Sequence, residues 1–181
     1  MVRQEESNME NGMEAYKYRD LYSFWVNHGK PDHRVSLDDL IKAANFDTVI
    51  HRGNFDMFER SFHKEGWVQY VGVIDELDRY KENPYRAKHM NRRDWQFADL
   101  EQLLAFAAQH PDVQRTINVI ALGSEKRTDY PGDYTYLWNP HIGWDESEGR
   151  RLSCYKSSCG YMRGVEGRHF LMVREANGIF H

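Results

Sequence analysis

The chain has little cysteine, little proline and no long apolar run. Its 181 residues include 2 cysteines and 5 prolines. Two thiols, Cys154 and Cys159, cannot build a disulfide framework. The first residues, MVRQEESNMENGME, are polar and acidic rather than basic and then apolar, so no export signal is expected and the thiols should stay reduced in a cytoplasmic setting. Apolar runs such as Phe170-Leu171-Met172-Val173 fall far short of the ~20 residues that a membrane helix needs, so no membrane partner is expected. No segment rich in Pro, Gly or Ser divides the chain, and no internal repeat is visible. The expectation is a polar, flexible tail over 1–13 and a single domain over 14–181. The patterns GxGxxG, Walker A, HExxH, GxSxG and CxxC are missing as well. The common nucleotide-binding and hydrolase signatures are therefore unsupported, and no cofactor is expected.

Neither sign of charge dominates. Lys and Arg number 24 against 28 Asp and Glu, a formal net charge of −4. That balance excludes a histone-like condenser of nucleic acid and an acidic disordered chain. Among the first fourteen residues Arg3 is the only cation against Glu5, Glu6, Glu10 and Glu14, so the remainder is close to neutral. What is abundant is aromatic: 14% of residues, although the mean hydropathy is −0.81. That load excludes disorder over most of the length.

Periodicity then assigns elements. Tyr18, Leu21, Tyr22 and Trp25 form a helical stripe within 14–28, with Gly29 and Pro31 to stop it. Ser36 caps a second helix through Leu37, Leu40, Ile41 and Ala44, with Asp39 three residues after the cap. Thr48-Val49-Ile50 is extended, and Phe55, Phe58 and Phe62 suggest a short helix. Residues 67–75 read as a strand. Glu76 to Lys81 suggests one helical turn, and Asp94 caps a helix carrying Phe97, Leu100, Leu104 and Ala107. Strands are expected over 116–122, 134–138, 151–156 and 169–174, with Asn139-Pro140 ending the second and a loop over 141–150. Helices thus crowd the first 110 residues and strands the rest. The fold expected is α+β: a helix-rich N-terminal part packed on a mainly antiparallel sheet formed largely by the C-terminal part.

Four constellations could carry chemistry. Nine histidines include His51, His141 and His169, and His is the side chain best suited to move protons near neutral pH. His141 and His169, with Arg168 or Lys156 to stabilise developing charge, form an acid–base set for an enzyme acting on nucleic acid or a nucleotide. Cys154 and Cys159, with four residues between them, could hold zinc with His169 and His141, against the commoner outcome of buried reduced thiols. Asp145, Glu146 and Glu148 beside His141 could hold a divalent ion, although such clusters usually form a solvated rim.

The fourth constellation is cationic and aromatic. Tyr85, Arg86, Lys88, His89, Arg92, Arg93 and Trp95 fall within eleven residues. A second group is Arg150, Arg151, Tyr155, Lys156, Tyr161, Arg163 and Arg168. Cations among stacking rings suit single-stranded nucleic acid. The same types make protein–protein hot spots. The function expected is therefore a small interaction or regulatory protein that binds a macromolecular partner, most simply a protein. The alternatives are a His-based enzyme on nucleic acid or a nucleotide, and a zinc-stabilised module.

Overall fold

Phe24 and Val26 are buried while Leu21, Ser23 and Trp25, at the alternate positions, are exposed. That period of two marks a strand, and Leu21–Asn27 is β1 of the computed structural model. The structure describes residues 21–30, 32–58, 64–76, 95–130, 134–158 and 169–176. The elements after β1 are α1 (Leu37–Ala44), β2 (Thr48–Val49), a 3₁₀ turn (Arg52–Met57), β3 (Trp67–Glu76) and β4 (Gln96–Phe97). They continue with α2 (Leu100–Gln109), a second 3₁₀ turn (Val113–Arg115), β5 (Val119–Ile120) and β6 (Lys126–Tyr130). The chain ends in β7 (Tyr134–Asp145), β8 (Gly149–Ser158) and β9 (His169–Glu175).

One mixed sheet of nine strands dominates, in the order β1-β3-β9-β5-β7-β8-β2, with β4 on β9 and β6 on β7. The expected helix-rich N-terminal part is overturned: the protein is mostly sheet, and β1 and β3 are full members of it. The β2–β8 and β5–β9 pairs are parallel, so the sheet is mixed rather than mainly antiparallel. The physical reason is tertiary pairing. Tyr22, Phe24, Val26 and His28 alternate as well as Leu21, Tyr22 and Trp25 follow a helical stripe, and a full ladder with β3 from Leu21↔Val73 to Asn27↔Trp67 decides between them.

Two further boundaries moved. Pro140 does not end its strand; β7 runs through it and makes a long hairpin with β8. The Pro140 carbonyl accepts from Ala121 N at 2.9 Å. N and C=O of one strand residue face the same edge, so the missing donor also faces Ala121, where β5 has ended, and no β8 bond is lost. The last long helix starts at Asp99 rather than Asp94. Asp99 accepts from Gln102 N while the Gln102 side chain accepts from Asp99 N, a complete capping box, and Phe97 belongs to β4. The Ser36 cap of α1 is as expected, with Ser36 Oγ accepting from Asp39 N.

Both described α-helices lie on one face of the sheet. Leu40, Ile41 and Ala44 of α1 and Leu103, Leu104, Phe106 and Ala107 of α2 pack on Phe24, Val26, Tyr70, Ile142, Leu152, Leu171 and Val173. Phe106 meets Tyr22 and Phe24 edge-on, with ring centroids 5.4 and 5.7 Å apart. A polar group lies inside this core. His28 Nδ1 is 2.9 Å from Glu101 Oε2 and its Nε2 is 3.2 Å from Tyr70 Oη, with all three residues buried. The other face has a smaller cluster, Val73, Ile120, Leu122, Phe170 and Met172, with Trp95, Phe97 and Tyr155 against it.

Candidate functional site

The most exposed large apolar side chains lie on the β1–β3 part of that second face, Trp25 and Trp67 as diagonal neighbours and Leu21 four residues along β1 from Trp25. Trp67 is 66% exposed, Leu21 59% and Trp25 46%. Register places them: Leu21 opposes Val73, Trp25 opposes Gln69 and Asn27 opposes Trp67, and opposed residues share a face. Between the rings lie only neutral polar groups. Gln69 Nε2 donates to Ser23 Oγ at 2.8 Å, and Asn27 Oδ1 accepts from Gly29 N at 3.0 Å.

The free edge of β1 is occupied by side chains. Gln109 Oε1 accepts from Trp25 N at 3.0 Å, and Gln109 Nε2 donates to Trp25 O at 2.8 Å, as a neighbouring strand would. His110 Nε2 lies 2.9 Å from Ser23 O. Edge-to-edge strand addition is therefore blocked at these residues. The face remains accessible.

The expected site residues scatter by comparison. His141 opposes Ile120, and Phe170 opposes the same residue from the other side. His169 is aligned with Val119, the neighbour of Ile120. Alternation then sends His141 and His169 to opposite faces of the sheet, so they do not form one acid–base set. Arg168 lies outside the described residues, with Tyr85, Arg86, Lys88, His89, Arg92, Arg93, Cys159, Tyr161 and Arg163. His51, exposed with φ of 53°, stands alone before the first 3₁₀ turn.

Cys154 packs against the main core, and burial pushes its thiol up to about 12. It lies in β8 and His169 in β9, three strand spacings apart, or roughly 14 Å across the sheet. That span does not suit a shared tetrahedral zinc with bonds of about 2.0–2.3 Å. No cluster of three metal-binding groups occurs among the described residues. The acidic loop caps a hairpin. Asp145 Oδ1 accepts from Ser147 Oγ at 2.6 Å and Ser147 N at 2.9 Å. The Ser147 hydroxyl leads in holding the Asp145 carboxyl below its usual range.

Arg150, Arg151 and Lys156, the described cations of the second expected group, are also engaged. Arg150 donates to Asn45 O at 3.0 Å and Ala107 O at 2.9 Å, binding carbonyls near the ends of both helices. Arg151 Nη1 faces Asp145 and Glu148 at 3.7 and 3.5 Å. Lys156 Nζ sits 3.8 Å from the Tyr136 ring centroid and 5.2 Å from that of Trp138. The Arg174 guanidinium is 4.9 Å from the Trp95 ring centroid. Trp95 and Tyr155 are half-buried against the smaller core.

One pair escaped sequence reasoning. Ser153 Oγ is 2.6 Å from His141 Nδ1, cross-strand and buried. Asn139, on the same face two residues before His141, is fully buried, with Oδ1 unpartnered and Nδ2 donating to Ser124 O at 3.3 Å. Nothing local signals it, because Ser153 and His141 meet only through the β7–β8 register. Leu21, Trp25 and Trp67 were missed for a different reason: exposure depends on which period governs β1. No family model, no curated protein and no solved structure matches the chain.

Proposed function

We propose that the chain is a binding protein whose partner is another protein, engaged through the β1–β3 face. The observation that carries this is the exposure of Leu21, Trp25 and Trp67 on one side of two paired strands. Tryptophan is the residue most enriched at binding hot spots, and contiguous exposed apolar groups mark interaction sites. Neutral polar groups between the rings favour a protein over a phosphate backbone, which demands cations. The test is affinity capture with the wild-type chain and the Trp25→Ala/Trp67→Ala double variant, each with and without nuclease. A partner held by the wild type, lost by the variant and indifferent to nuclease supports the reading. An identical set of captured proteins for both chains contradicts it.

The short His141–Ser153 contact favours a second reading, an enzyme in which His141 takes a proton from Ser153. Loss of a turnover in Ser153→Ala, with folding retained, would favour that reading over binding.

A further inference from the structure

We propose that the β1–β3 face takes a proline-rich segment of its partner in the polyproline II conformation, an inference that rests on the binding reading above. The hydrogen-bond character of the face points there. Among the described residues nothing accepts from Trp25 Nε1, Trp67 Nε1 or Asn27 Nδ2, and the Asn27 acceptor is already taken by Gly29 N. Gln69 has one donor committed to Ser23 Oγ. The surface therefore offers indole and amide donors beside exposed rings, with no charged side chain at the register positions from Leu21 to Asn27 or at Trp67, Gln69, Val71 and Val73; Arg174, opposite Val71 on β9, is held against the Trp95 ring.

A proline-rich strand is the complement of such a surface. Each proline carries a C=O and no N–H, so the segment presents acceptors with few donors. Its backbone has no internal hydrogen bonds, and it is preformed, so docking costs little ordering entropy. Flat indole rings receive pyrrolidine rings. Diagonal residues on paired strands have Cα atoms about 7–8 Å apart, and Trp25 and Trp67 are such a diagonal. Positions two and three residues apart on a polyproline II helix are separated by roughly 6–9 Å at ~3.1 Å per residue. The Gln109 and His110 bonds to β1 exclude strand addition as the competing mode for a peptide.

The experiment is calorimetric titration of the full chain with an acetylated, amidated oligoproline about ten residues long. A Gly-Ser peptide of equal length and a soluble β-linked glucose oligosaccharide serve as controls. Saturable binding of the oligoproline alone is expected, weakened about tenfold or more in Trp25→Ala and in Trp67→Ala. Asn27→Asp, which keeps the acceptor for Gly29 N but loses the amide donors, should also weaken it. Circular dichroism on each variant separates lost binding from lost folding. No saturable binding at millimolar peptide overturns the proposal, as does equal affinity in all variants or binding of the saccharide in place of the peptide. If the oligoproline fails while the double variant still loses a captured partner, the ligand class falls and the binding face stands. If the double variant keeps every partner, both fall.

Discussion

His28, Glu101 and Tyr70 show how a few polar atoms constrain this core. Glu101 is almost fully buried on α2, and the imidazole of His28 lies 2.9 Å from it. Removing one member strands the other away from water. His28→Leu should therefore cost about 3 kcal/mol in urea unfolding, whereas His28→Leu combined with Glu101→Met should recover much of that loss. Additive losses in the double variant would contradict the coupling. Titration adds a second prediction. Burial, the leading cause, holds the Tyr70 phenol above its usual value of 10.0, with the Gln102 side chain opposing it, and holds Cys154 at about 12 against a usual 9.0. Groups whose folded pKa is raised give stability that is full below the unfolded pKa and lost as pH rises. The chain should lose stability from about pH 9 upward, and Cys154→Ala should flatten that fall when unfolding midpoints are compared across the range. The same burial predicts that Cys154 stays unmodified by iodoacetamide at pH 8 in the folded chain and reacts once unfolded, read by peptide mass spectrometry.

Among the elements, β1 and the turn after it set the geometry of the face proposed for binding. Gly29 has φ of +72°, and a Cβ there would come within 2.6 Å of His33 O. Gly29→Ala meets both a left-handed backbone and a main-chain clash, so it should cost more than about 1 kcal/mol, measured by thermal unfolding. The Gly at this position was visible as a stop signal; what it stops is a strand rather than a helix. Local chemistry was legible wherever it was self-contained. Ser36 with Asp39, the β-branched and aromatic run of β3, and the apolar β9 needed no distant partner. Boundaries that depended on pairing were not legible. Pro140 reads as a breaker until β5 is seen to end beside it. Lys126–Tyr130 has too many polar residues to announce a strand, and pairing with Tyr134–Trp138 makes it one. Asp94 and Asp99 both precede apolar residues, and only Asp99 has Gln102 at the box position.

For the whole molecule, one sheet separates two environments. The face under α1 and α2 carries the main core, and the other carries the smaller core, the His141–Ser153 pair and the exposed indoles. The site residues legible in the sequence were cations and rings, but their partners were not. Arg150, Arg151 and Lys156 were candidates for phosphate contact, and the structure gives them carbonyls, carboxylates and rings of this chain. The β1 and β3 positions of this face carry no charged side chain, and the neighbouring Arg174 is held against Trp95, so binding there should depend little on salt. Partner affinity should change by less than about threefold between 50 and 200 mM salt, where contacts to six or more phosphates would lose about a thousandfold or more. If Trp25 and Trp67 are exposed for binding rather than packed for folding, their removal should spare the fold. The most direct measurement takes the Trp25→Ala/Trp67→Ala chain through thermal unfolding and partner capture side by side. The expected result is a melting temperature within a few degrees of the wild type, as for surface substitutions, together with loss of a captured protein. Unchanged capture, or a collapse of the melting temperature, would contradict it.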